Sequence, residues 1–98
     1  MEVSFASDEL DRLETDPEYT AGFAGAIVKA FRMRMQQIRA AVDERDFRAL
    51  GSLHFEKLAG TRQHQHSMRL NKRYRLIVEF EGHGSSRVLR VVRIEDYH

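Results

Sequence analysis

The sequence contains no cysteine, which excludes disulfides, thiol nucleophiles and thiolate metal sites together. No apolar run approaches the ~20 residues that a membrane span needs. A basic, apolar leader does not open the chain either, since Met1 is followed by the acidic Glu2. These absences predict a soluble, cytoplasmic protein with no membrane partner. No Gly-rich phosphate loop, zinc-protease helix or nucleophile elbow is present, so three common catalytic frames are missing. Internal repeats, low-complexity tracts and linkers are missing as well. The 98 residues are therefore expected to form a single domain, 1–98, near the commonest domain size.

Charge of one sign is scarce in each half, although the net charge of +1 hides this. Residues 1–50 hold 7 Lys/Arg against 10 Asp/Glu, and residues 51–98 hold 9 against 5. Between His54 and Arg75, six basic residues and three histidines accompany one acid, Glu56. A basic face on a nearly neutral protein suits a polyanion such as nucleic acid. A solvated basic surface has the same composition, so charge alone leaves both readings open.

The hydrophobic pattern changes period midway. "EVSFA" suits a short strand, and "SDELDRLE" a helix capped by Ser7 or Asp8. Pro17 is suited to the first turn of a second helix. Phe23, Ile27, Phe31, Met35, Ile38 and Val42 recur every three or four residues, which predicts an amphipathic helix over about 18–43. "DERDFRALG" reads as a short helical turn or loop. Beyond it, "HSMRLN", "YRLIVEFE" and "RVLRVVRI" alternate as strands do, with "NK" and "GHGSS" as connections. The expected fold is α+β: a short N-terminal strand and two helices on one face of a small, mainly antiparallel sheet. Met68, Leu70, Leu76 and Val78 should meet the helices, leaving Arg69 and Arg75 on an open face.

What remains for chemistry is a set of acids and bases: His54, Lys57, Arg62, Arg69, Arg75, Tyr97 and His98. RNA cleavage needs a base for the 2′-hydroxyl proton, an acid for the leaving 5′-oxygen, and cations for the transition-state charge. Each residue has a plainer role available: a strand Arg pairs with a neighbouring carboxylate, and a closing Tyr-His packs a sheet edge. "HQH" places His64 and His66 on one strand face, which without a third ligand is a weak metal motif. No metal or cofactor is expected.

"HFEKLAGTR", "SMRLNKRYRLIVEF" and "IEDYH" resemble the C-terminal half of RelE/ParE-superfamily toxins, HigB-like ones in particular. The matching positions are Leu58, Gly60 and Arg62; Ser67, Met68, Arg69, Asn71, Tyr74 and Arg75; and Asp96, Tyr97 and His98. The resemblance covers about the last 45 residues with order and spacing intact. It implies a RelE-like fold and a toxin of a bacterial type II toxin–antitoxin pair. The implied activity is ribosome-dependent, metal-independent endoribonuclease cleavage of translated mRNA. Implied partners are a helix-turn-helix antitoxin, the ribosome and mRNA, with operator DNA bound only through the antitoxin complex. Arg75 would hold the scissile phosphate while Tyr97 and His98 shape the reaction centre. Ala59 stands where HigB toxins often carry a basic residue. His54 and Lys57 lie slightly upstream at a His-x-x-Lys spacing, so the proton-transfer role either follows a slipped loop or has moved. Arg62, Arg69, Lys72 and Arg73 are the candidates for RNA or phosphate contact. A ParE-like topoisomerase poison, or a degenerate member that only binds antitoxin, would share the fold without needing Tyr97 and His98.

Overall fold

The computed structural model describes residues 1–97, with Ser85 by its backbone alone. The chain opens with strand β1 (Glu2–Phe5) and helices α1 (Asp8–Thr15), α2 (Gly25–Ala40) and α3 (Glu44–Ala49). Strands β2 (Glu56–Lys57), β3 (Gln65–Arg69), β4 (Tyr74–Glu81) and β5 (Val88–Asp96) follow, with short 3-10 turns between some of them. They form one sheet in the order β1-β5-β4-β3-β2, antiparallel except for the parallel β1–β5 pair. The expected α+β architecture holds, with a third short helix added.

Local chemistry explains most boundaries. Ser7 caps α1 by accepting from the Leu10 amide at 3.3 Å. The second helix is shorter than its apolar pattern predicts, beginning at Gly25 and not near residue 18. Pro17 lies in a turn whose Asp16 side chain accepts from the Glu18 amide. Ala21 and Gly22 then both take positive φ, at 52° and 82°, a pair that no α-helix accommodates. At the other end Ala41 is extended, and Val42, expected on the buried stripe, is 83% exposed. Asp43 restarts helical structure by accepting from the Arg45 amide at 2.9 Å, and Phe47 of α3 is buried.

Ile27, Phe31, Met35 and Ile38 pack α2 onto Met68, Leu76, Val78, Leu89 and Val91 of the sheet. Burying each large apolar side chain contributes about 1.5–3 kcal/mol before entropic costs. Asn71 shapes the β3–β4 turn, its side-chain oxygen accepting from the Arg73 and Tyr74 amides at 2.8 and 2.7 Å. The opposite sheet face is not open as the alternation predicts. Ile77 and Ser67 there are fully buried and Gln65 nearly so, with Arg75 bonded to Ser67 and Arg62 to Gln65.

One irregularity in β5 decides what reaches that second face. Ile77 pairs with Arg93, whereas Val78 pairs with Val91, so Val92 is an extra residue in its strand. Such a bulge reverses the alternation of everything after it. Leu89 and Val91 enter the core before the bulge and Ile94 packs against it afterwards. Glu95, paired with Arg75, is thereby turned to the second face.

Candidate functional site

Arg75, the second residue of β4, is the centre of the second face. Its Nε donates to Ser67 Oγ at 2.9 Å, and its Nη2 donates to the backbone carbonyl of His54. That carbonyl is turned toward the arginine by a left-handed residue, since His54 has φ 46° and ψ 54°. The Arg75 side chain is only 13% exposed, and among the described residues the nearest acid is Glu56, at 4.0 Å. The Tyr97 ring lies 5.6 Å from its guanidinium carbon, within reach of a cation–π contact. Two of the five guanidinium N–H groups are thus fixed on the protein. Nη1 donates to nothing among the described residues.

The other predicted residues divide sharply. Tyr97 stands beside Arg75, with 36% of its surface exposed. His54 contributes its carbonyl, and its imidazole is exposed. Lys57 does not join them: it pairs in register with His66, which places it on the helix side of the sheet. His98 lies outside the described residues. Arg62 shares the face of Arg75, but its guanidinium grips Glu95 through two bonds of 3.0 and 2.8 Å and reaches Gln65 at 3.2 Å. Arg69 donates to the Asn71 carbonyl at 3.1 Å within its own turn. Arg73 is bound to Asp96 by two nitrogens, with bonds of 2.7–3.0 Å. Lys72 is exposed and makes no ion pair among the described residues.

The electrostatics separate fixed charges from groups that could move protons. Hydrogen bonding to Arg62, assisted by Arg93, holds the Glu95 carboxyl below the usual glutamate range despite partial burial. The same contact raises Arg62. Neither exchanges protons near neutrality. His64 and His66 do not share a face: His64 approaches Glu79 at 3.4 Å, whereas His66 stacks on Phe55 at 4.9 Å. Burial pushes His66 below the usual histidine value, with Lys57, Arg48 and Arg87 acting in the same direction.

Ser67 and Glu56 approach Arg75, and Glu95 lies opposite it in register without bonding to it. Of the three, the sequence marked only Ser67, as a motif position. Strand alternation puts Ser67 and Arg75 on one face, so that contact was readable. Glu56 depends on a two-residue strand with no periodic signature, and Glu95 on the bulge.

The profile of the family described as the RelE-like toxin of type II toxin–antitoxin system HigB matches residues 3–98. The chain belongs to this HigB-like toxin family. The toxin is also similar in structure to a solved YoeB/ParE toxin from Agrobacterium tumefaciens. TM-score is 0.62, identity is 18%, and the whole of both chains is covered. At that identity the likeness speaks for the fold. No curated protein sequence matches the chain. Membership in a type II family implies an antitoxin partner for this toxin. None of its helices is long and apolar enough to cross a membrane, among the described residues.

Proposed function

We propose that the toxin is a ribosome-dependent endoribonuclease that cleaves translated mRNA with its own side chains as acid, base and cation. The observation that carries this reading is Arg75, pinned by Ser67 and the His54 carbonyl beside Tyr97, with its Nη1 unbonded among the described residues. In the reaction a base removes the 2′-hydroxyl proton and O2′ attacks the adjacent phosphorus. Arg75 stabilises the added charge on the phosphorane-like transition state. The bond to O5′ breaks as an acid protonates it, leaving a 2′,3′-cyclic phosphate and a 5′-hydroxyl. We assign the base to Glu56, whose carboxylate lies 4.0 Å from Arg75. His54 and the terminal His98 are the imidazoles proposed for the acid. Tyr97 is exposed enough to stack on an unstacked base, as aromatics do in RNA recognition. Lys57 has no direct part in this scheme, because its register places it across the sheet.

The test is induction of the toxin followed by mapping of mRNA 5′ ends, with Arg75→Ala in parallel. The expected result is new in-frame 5′ ends within translated messages. Arg75→Ala should reduce them about 10²–10³-fold, the usual loss for one transition-state donor. Intact transcripts together with an SOS response would replace this reading by topoisomerase poisoning, which does not call on Arg75 and Tyr97 as a reaction centre. Intact transcripts without that response would leave a member that only binds its antitoxin.

A further inference from the structure

Glu95 is in register directly opposite Arg75, the position from which a strand carboxylate ordinarily neutralises a cross-strand arginine. It does not do so. Its Oε1 and Oε2 accept from Arg62 at 2.8 and 3.0 Å, and Oε1 also accepts from Arg93 at 3.0 Å. The carboxylate is well shielded, 21% exposed, so it is a held anion and not a mobile surface group. Arg62 approaches from the 3-10 turn Gly60–Arg62, and Gln65 braces it from behind. Arg93 reaches Glu95 from two residues earlier on β5, which is possible because both follow the bulge.

We propose that Arg62 and Arg93 divert Glu95 from Arg75, keeping the Arg75 guanidinium available for an RNA phosphate. This rests on the cleavage reading above and assigns Arg62 a positioning role in place of direct phosphate contact. Without the two arginines, Glu95 would turn to the nearest remaining cation. Arg75 would then carry an internal carboxylate where the scissile phosphate must bind. The diversion therefore acts on substrate access, while Ser67 and the His54 carbonyl set the geometry of Arg75 itself.

The experiment is a rescue. Arg62→Gln/Arg93→Gln should lower kcat/KM on mRNA-programmed ribosomes about 10- to 100-fold, chiefly through KM, the scale of one charge-assisted bidentate pair. Adding Glu95→Gln to that variant should restore activity to within a few-fold of the unaltered toxin. Glu95→Gln alone should leave it unchanged. In the free protein, the Arg75 Nε–H resonance should move in the double variant and return in the triple one, with no RNA present. If the double variant does not fold, as its melt would show, Arg62→Gln with and without Glu95→Gln must give the same order of activities. A triple variant as impaired as the double, with an unmoved Arg75 resonance, would overturn the proposal: Arg62 and Arg93 would then serve the RNA or the fold directly. Arg75→Ala assayed alongside separates the two levels. Its full activity would remove the cleavage reading, whereas its inactivity combined with a failed rescue removes only the diversion.

Discussion

At the scale of single residues, the proposed cleavage depends on how firmly one arginine is aimed. Ser67 is fully buried and its hydroxyl oxygen accepts from Arg75 Nε, so its removal leaves that N–H of a nearly buried guanidinium without its acceptor. Ser67→Ala should lower the single-turnover cleavage rate about 10-fold, the weight of one hydrogen bond to a charged group. Ribosome affinity should stay unchanged. Arg75→Lys should behave like Arg75→Ala, because an ammonium cannot hold Ser67 and the His54 carbonyl while presenting a flat edge to phosphate. Equal activity of Lys and Arg at this position would show that charge alone matters. The position of Arg75 on the second face was legible, since alternation puts it there and the "YRLIVEF" motif draws attention to it. Its supports were less so. A left-handed histidine lending its carbonyl leaves no mark in a sequence, because φ at His54 is set by the turn around it.

At the scale of elements, periodicity located the helices and strands but not their ends or their slips. The apolar stripe from Phe23 to Val42 continues past both ends of α2, since Phe23 packs from a loop and Val42 follows an extended Ala41. The Val91-Val92 pair is the visible trace of the bulge, two apolar residues where strict alternation allows one. The third helix docks through an aromatic cluster in which Phe47 meets Phe55 and Phe80, while His66 stacks on Phe55 and meets Phe80 edge-on. Its Nδ1 is buried without a hydrogen-bond partner among the described residues. Glu44 and Arg48 act on it from α3, Lys57 from β2 and Arg87 from just before β5. Because the folded value is depressed, the unfolded chain takes up the proton first as pH falls. Stability is full above the ordinary histidine pKa of about 6.5 and declines from there toward the lower folded value. His66→Phe should raise Tm by several degrees, consistent with about 1 kcal/mol for the orphaned nitrogen. It should also flatten the dependence of Tm on pH just below 6.5, the ordinary histidine value. An unaltered pH profile, read by calorimetry from pH 5 to 8, would mean that His66 does not carry this sensitivity.

At the scale of the whole molecule, the charge division seen in composition becomes a division of surfaces. Helix α2 carries Lys29, Arg32, Arg34 and Arg39 and no acid, yet much of that charge is spent inside the molecule. Arg39 grips Glu14 at 2.6 and 2.7 Å, and Arg32 donates to the carbonyls of Leu13, Asp16 and Tyr19. These contacts tie the acidic first helix to the basic second one and leave Asp8, Glu9 and Asp11 facing solvent. The β3–β4 turn is different. Lys72 projects there with no ion-pair partner among the described residues, next to an Arg73 already bound by Asp96, and both lie at the same end of the sheet as Arg75 and Tyr97. A cation with no protein partner displaces counterions from RNA more fully than one that must first release a carboxylate. Lys72→Gln should therefore reduce the slope of log affinity against log salt for ribosome binding by about 0.7–0.9, the share of one phosphate contact. Arg73→Gln should reduce it by clearly less, and a combined Arg73→Gln/Asp96→Asn variant should resemble the unaltered toxin. Affinities measured over a salt series on mRNA-programmed ribosomes decide this. Equal slopes for Lys72→Gln and the unaltered toxin would make the turn an ordinary solvated surface. An Arg73 effect as large as that of Lys72 would instead mean that its pairing with Asp96 gives way when the ribosome binds.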